Sequence, residues 1–490
     1  MSTQTIDLIK QALGNAGNTL QKTVTTSTGL VNFDLQAPAK NLYPVITPIR
    51  NRLPRVRGNG GISTNWRQVS SIVGSGNRSM PWVPEGVRSG RMSYVTANKS
   101  ANYATLAEED TITEEAINAA VGFEDLQATL TMRLLQQTMI KEEMAIIGGN
   151  ASVALGTPGT VVTSASGTGA VLPALTYDVA CVALTLEGYL SSSLAGGLAQ
   201  ATTITSADKS TFVLNGGSSN KSAVTTQAVT LGQHLFASVP VINGAVAYGW
   251  YVGAAGVSRL EAITLINSLE FVTTLAGTGQ LLSAITIDAS RNPSLAFDGL
   301  FSTAFGSGGA AYIKVMPTGV SGTGTPLTAG NRRNCVEIDV MLKSMWDVSR
   351  LSPTVLYVNS QELQNITNKV MNNSSNPIYF AADKSEPYGV VANGVVQAYF
   401  NPFGMTNTVI PIMLHPNIPA GTILAFCENL PAQYQSNQVP NVAEIHVRKD
   451  FVQTFWPQVT RQRDVGVYVE EAFVCYAPFG IGIISNIGNG

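Results

Sequence analysis

The chain has 490 residues, room for roughly two to four domains, and only 12% of them are charged, with a formal net charge of −2. Charge this sparse is about half the usual share for soluble domains. It fits a protein that covers much of its surface with copies of itself, and equally a β-rich chain with many turns. A balance this near zero argues against nucleic-acid binding driven by phosphate contacts.

Residues 1–45 read as a polar arm. Ile6, Leu8, Ile9 and Leu13 suit a short amphipathic helix, and the rest suits a tail that orders only against something else. No basic region followed by an apolar one marks a secretory signal. No apolar run is long enough to span a bilayer.

Residues 46–105 begin with a basic block: Arg50, Arg52, Arg55, Arg57, Arg67, Arg78, Arg88, Arg91 and Lys99, with Glu85 the only acid before residue 101. Apolar and polar residues alternate in 63–73 and 92–97 around a tip rich in Gly and Pro. That pattern predicts a long β-hairpin. A two-stranded hairpin is hardly stable alone in water, so it should lie on another surface.

Residues 106–155 carry the opposite sign at first: Glu108, Glu109, Asp110, Glu114 and Glu115, then Glu124 and Asp125. Acids early in a helix meet its dipole favourably, so they are expected at a helix start. Phe123, Leu126, Leu130, Leu134, Met139, Ile140, Met144 and Ile147 then recur at helical spacing. The predicted helix, 123–147, would be roughly 37 Å long, and Gly148-Gly149-Asn150 should end it in a left-handed turn. The adjacent Glu142 and Glu143 do not share a helix face and are not read as an acid/base pair. One reading of the charge blocks sets the basic hairpin (Arg55, Arg57, Arg67, Arg78, Arg88, Arg91) over the acidic start (Glu108, Glu109, Asp110, Glu114, Glu115) of a neighbouring copy. The other is two solvated faces of opposite charge.

Residues 156–295 are poor in charge and in helical periodicity. Strand-like runs at 176–185, 223–231, 235–242, 246–252 and 262–266 alternate with turn signals such as Asn215-Gly216-Gly217 and Asn243-Gly244. They predict an inserted antiparallel β-sandwich. Residues 296–440 mix helix and strand: a Gly-rich loop at 306–330, a helix through Ile338, Met341, Leu342 and Met345 with Asn334 as its expected cap, a buried strand at 353–358, and a helix capped by Asn359-Ser360. Strands are expected at 409–414 and 422–427. Residues 441–490 return strands to the earlier parts, at 443–447, 465–469 and 471–476.

The three histidines, His234, His415 and His446, show no metal-ligand spacing and read as structural. The four cysteines share no CxxC spacing and read as buried reduced thiols. No G-x-S-x-G elbow or Walker A sequence occurs. The reading is of a non-enzyme without cofactors.

The ordered set of an arm, a basic hairpin (PWVPEGVRSGRMSYVTANKSANYATLAEED), a long helix ending KEEMAIIGGN, the block VEIDVMLKSMWDVSRLSPTVLYVNSQELQNITNKV and a β-rich tail resembles the major capsid protein of tailed bacteriophages. The resemblance implies an α+β HK97-like capsid fold: N-terminal arm, extended loop, peripheral domain with a long spine helix, and axial domain. It implies self-assembly as hexamers and pentamers into an icosahedral shell around double-stranded DNA, in the virion, after assembly in a host bacterial cytoplasm. Portal, scaffolding and cement proteins are the partners it implies, and no membrane. The segment 156–295 departs from the minimal family pattern. LPALTYDVACVAL and AVAYGWYVGAAG within it loosely resemble strands of immunoglobulin-like modules. As an appended module it should be removable at 160–285 with assembly largely intact. The competing readings are an encapsulin-type compartment shell, a β-rich surface adhesin or carbohydrate-binding protein, and a hydrolase.

Overall fold

The computed structural model describes residues 46–58, 60–73, 82–88, 93–121, 125–306, 308, 310–331, 334–371, 396–404, 409–430 and 439–489. The arm at 1–45 lies outside them. The first part holds β1 (Arg55–Arg57), β2 (Ser63–Val73), β3 (Ser93–Asn102), β4 (Ala104–Thr113), α1 (Glu114–Ala119) and α2 (Leu126–Gly148). The insert holds β5 (Val162–Ser166), β6 (Leu175–Leu184), α3 (Leu186–Ser191), β7 (Ala201–Thr205), β8 (Thr211–Asn215), β9 (Ser218–Lys221), β10 (Thr225–Val229), β11 (His234–Ser238), β12 (Ala247–Ala254), β13 (Arg259–Thr264) and β14 (Ser268–Phe271). Next come α4 (Leu300–Phe305), β15 (Tyr312–Val315), β16 (Ala329–Gly330), β17 (Asn334–Cys335), α5 (Val336–Ser349), β18 (Val355–Val358), α6 (Ser360–Met371), β19 (Ala398–Phe400), β20 (Val409–Leu414) and β21 (Ile423–Phe426). The chain closes with β22 (Ala443–Phe455), β23 (Gln462–Cys475) and β24 (Ile481–Ser485).

The predicted hairpin forms. β2 and β3 pair antiparallel, Ser63 opposite Asn102, as a two-stranded sheet of their own. The acids that follow are not at a helix start. Glu108, Glu109 and Asp110 lie on β4, opposite Val467, Gly466 and Val465 of β23. A long partner strand overrides the local helix signal there, and only Glu114 and Glu115 fall in the first turn of a helix. β4 is the edge of a four-stranded sheet in the order β1-β22-β23-β4.

The long helix begins at Leu126, where the Asp125 carboxylate accepts the N–H groups of Gln127 and Ala128, both at 3.1 Å. Phe123 lies outside the described residues. Its 23 residues span about 34 Å at 1.5 Å per residue. The expected left-handed ending is absent: Gly149 has φ −52°. Glycine is required there by close approach, since a Cβ would stand 2.6 Å from the Ala145 carbonyl and 2.7 Å from that of Phe297. The helix packs its N-terminal half on β23, where Leu134 buries against Val465 and Val467.

A six-stranded mixed sheet, β15-β24-β21-β18-β20-β19, forms the second body. Its central strands are buried on both faces, which is why they read as unbroken apolar runs. Val355, Tyr357, Leu424, Phe426, Ile481 and Ile483 face a core shared with Ile146 and Ile147 of α2. Leu356, Val358, Ile423, Ala425 and Ile484 face a second core under α5 and α6. α5 sits directly on the sheet at Gly482, where a Cβ would meet the Met341 sulfur at 2.9 Å. Asn359 caps α6 as expected, accepting from Gln361 N at 3.1 Å. Asn334 does not cap α5; its side chain pairs with Asp339 instead.

Beside a two-stranded β7-β8 ribbon, the segment 156–295 has two larger antiparallel sheets, β10-β6-β12-β13 with β9 beside β6, and β14-β11-β5. They bury Val179, Cys181, Leu235, Trp250 and Val252 in a core between them. Its two ends run together: Leu155 N donates to Ser290 Oγ at 3.0 Å, and Asn150 Nδ2 to Ser290 O at 2.7 Å. It is no detachable appendage. Leu186 and Val246 belong to the same core as Ile146, Ile147 and Phe301. A second fastening pairs the buried amides of Asn267 and Asn486, with Asn267 N donating to Asn486 Oδ1 at 2.8 Å and Asn486 Nδ2 to Asn267 Oδ1 at 3.1 Å.

Removing 160–285 therefore opens the main core, against the expectation from the sequence. The deleted chain should be insoluble, and Leu186→Ala alone should cost about 2–5 kcal/mol, read by urea denaturation. A soluble deletion protein melting like the parent would refute the shared core.

Candidate functional site

Two features stand out from the scaffold: a buried ionic junction at the C-terminal half of α2, and the hairpin. At the junction, the C-terminal half of α2 carries Glu142 and Glu143, both fully buried. Glu143 accepts from Ile49 N at 2.9 Å, Arg50 N at 2.7 Å and His415 Nε2 at 2.6 Å. His415 Nδ1 itself accepts the Asn417 N–H at 3.1 Å, so the ring hydrogen belongs on Nε2 and a neutral imidazole makes both bonds. Glu142 is bound by the guanidinium groups of Arg50 and Arg55. Arg55 also reaches Asp450 at 2.8 Å and the fully buried Glu471 at 3.2 Å. Both guanidinium carbons lie against the Phe451 ring, 5.2 and 5.1 Å from its centroid.

The hairpin is rooted on β23. Trp66 Nε1 donates to Cys475 O at 2.9 Å, and Val69 N to Tyr476 O at 3.0 Å. Thr64 Oγ1 meets His446 Nδ1 at 2.9 Å, and His446 Nε2 meets Tyr476 OH at 3.2 Å. Tyr476 OH in turn donates to Glu444 at 3.3 Å. Burial pushes the Glu444 carboxyl up, but bonds from His446, Asn441 and Tyr476 outweigh it and hold the group below its ordinary value. Beside the root lies a cleft of about 270 Å³, lined by Trp66, Lys99, Phe297, Asp298 and Phe473 among others. Residues 82–88 at the far end are all exposed, Trp82 by 84% and Val87 by 60%.

The residues singled out by charge divide. Arg55 is committed inside its own subunit. Arg57, Arg67 and Arg88 are exposed. Arg78 and Arg91 lie outside the described residues. On the acidic side, Glu108 pairs with Lys141 of α2 and Glu115 with Arg461 at 3.1 Å. Glu109 accepts from Trp456 Nε1 at 3.2 Å, and Glu114 from Gln458 Nε2 at 2.9 Å. Asp110 is exposed and accepts the Thr111 N–H at 2.7 Å. Burial pushes the Glu109 carboxyl up, the Trp456 bond opposes this, and Asp464 and Asp208 add to the rise. The patch also exposes Phe455, Trp456 and Val459.

Among the described residues, no group of three His, Cys, Asp or Glu side chains is arranged to hold a metal, and no helix is long and apolar enough to cross a membrane. All four cysteines are buried and unpaired. Burial pushes Cys335, Cys427 and Cys475 up to about 12, so these thiols are not activated nucleophiles.

The junction residues Arg50, Glu142, Glu143, His415 and Glu471 escaped the sequence reading as a site. One signal was available. Two adjacent acids in the apolar C-terminal half of a helix oppose the helix dipole and demand cationic partners. Which partners answer them depends on contacts across 87 to 272 residues of chain.

No protein-family model and no curated protein matches the chain. Among solved structures it is similar to the capsid of an empty GTA particle, at 9% identity over 96% of this chain and 100% of that one, with a TM-score of 0.44. It is similar to a chain of Mycobacterium phage Bobi, at 11% identity over 94% and 98%, with a TM-score of 0.39. It is also similar to the holo-SrpI encapsulin complex from Synechococcus elongatus, at 7% identity over 94% and 95%, with a TM-score of 0.40.

Proposed function

We propose that this chain is a shell subunit that assembles with copies of itself into a closed container, the capsid of a virus with a double-stranded DNA genome. The observation that carries the reading is the hairpin. Its root is bolted to β23, yet its far end presents Trp82, Val83 and Val87 to solvent. A two-stranded ribbon of this length is not self-sufficient in water, and an exposed Trp beside Arg is the usual composition of an interface anchor. A second copy supplies the missing surface. The sparse charge fits subunits that cover one another, and the order of hairpin, long helix and two-faced sheet fits the capsid resemblance of the sequence. The subunit's part is structural rather than catalytic. The insert, with its two larger facing sheets, is an immunoglobulin-like elaboration of that plan.

The receiving surface is the acidic, aromatic patch on β4, α1 and the β22–β23 turn. Glu109, Asp110 and Glu114 lie there beside the exposed Phe455, Trp456 and Val459, and Arg88 with the other hairpin arginines is complementary to them. Such complementarity sets register and on-rate more than affinity. Portal, scaffolding and cement proteins would be further partners, and packaged DNA would be enclosed without sequence-specific contacts.

Electron microscopy of the purified protein, beside a sizing column, should show rings, tubes or closed particles. A monodisperse monomer at every concentration tried would overturn the shell reading. Reversing Arg88 and Arg91 to Glu should abolish these assemblies and leave circular dichroism and melting temperature unchanged. Assemblies that form as before would remove the hairpin-to-patch contact and leave the shell reading standing.

A further inference from the structure

The junction contains more buried negative charge than its cations match. Three fully buried carboxylates, Glu142, Glu143 and Glu471, converge from α2 and β23. Glu143 is satisfied by two backbone N–H groups and by His415. Glu142 takes both Arg50 and Arg55. Glu471 is left with one bond from Arg55, at 3.2 Å, while Arg55 also serves Asp450. The second oxygen of Glu471, Oε1, is buried and has no hydrogen-bond partner. β4 offers it only Ala104, its pairing partner, and β22 offers the exposed Asp450 and the Phe451 ring.

An ionised carboxylate with an orphan oxygen, shut from water beside a second anion, is a high-energy arrangement. A proton relieves it, because a neutral carboxyl needs fewer donors and does not repel Glu142. We infer that Glu471 holds a proton at neutral pH and that this proton fastens α2 to β23, so that mild alkali loosens the helix from the sheet.

Burial pushes the Glu471 carboxyl up to about 8, the Glu142 charge adds to the rise, and Arg55 opposes it. The group is ionised in the unfolded chain above the ordinary glutamate range and neutral in the folded chain until about pH 8. Its contribution to stability is complete below the ordinary range and is lost as pH rises to about 8. The device rests on the subunit fold alone, whatever the assembled state.

Glu471→Gln tests it, since the amide mimics the neutral acid and has no proton to lose. Urea unfolding of the full chain and of E471Q is compared at intervals from pH 5 to 9. The ratio of the wild-type to the variant unfolding constant should climb, by up to about tenfold per pH unit, and level above about pH 8. A ratio independent of pH would show that Glu471 is ionised throughout and would overturn the inference. If the variant does not fold, infrared spectroscopy of the wild-type protein decides. A neutral-carboxyl band should disappear reversibly near pH 8, and its absence at neutral pH would refute the proton. E142Q, which removes the facing anion but leaves the burial, should shift that band's loss part of the way to lower pH.

Discussion

The subunit depends on how two adjacent glutamates are neutralised inside its longest helix. Glu142 and Glu143 stand near the C-terminal end of α2, where the helix dipole already disfavours anions and where burial removes water. Leaving either unpaired would cost several kcal/mol, as a lone buried charge does. The structure answers with groups from two distant stretches, Arg50, Arg55 and two backbone amides from 49–55 and His415 from the loop after β20, and Arg55 draws in Glu471 of β23 as a third. Each stretch is thereby tied to one point on one helix. Apolar burial brings these parts together, and the ionic group fixes which face of each meets the others.

From that point the packing spreads without a break. Ile146 and Ile147 continue the helix into the core under the six-stranded sheet, and Leu186 and Val246 bring the insert into the same core. The insert's two ends converge at Asn150 and Ser290, but its far side is held again at Asn267 by Asn486. A module tied at both sides cannot swing as a tethered ornament does. It touches both the end of the long helix, through Leu186, and the residue that follows the last strand, Asn486.

Much of this organisation was legible in the chain. The alternation at 63–73, the helical recurrence through Leu130, Leu134 and Ile147, and the unbroken runs VLYV and ILAF each reflect a local period that burial imposes, and each formed the element predicted. The failures share a cause. Glu108, Glu109 and Asp110 look like a helix start because local electrostatics favours them there, yet a 14-residue partner strand more than 350 residues away decides their conformation. Gly149 looks like a left-handed cap, yet the carbonyl of Phe297 is what excludes a side chain. Arg55 reads as one of a basic series, yet its three acidic partners come from α2, β22 and β23. Residue type was legible wherever the deciding contact was local, and misleading wherever the contact closed a long loop of chain.

The hairpin and the junction are two halves of one arrangement. The segment that carries Arg50 and Arg55 into the junction leads directly into β2, and Thr64 and Trp66 then fasten the ribbon to β22 and β23. The ribbon's direction is therefore set by the same sheet that the long helix rests on. The described residues of its far end, 82–88, are exposed, but its course is not free. Association costs less when the docking element is already oriented, because less conformational freedom remains to be lost. A ribbon stiff at its root and apolar at its tip is poorly suited to a solitary subunit, where it would expose Trp82 for no gain. It is well suited to a subunit that docks on a neighbour, as proposed for this chain.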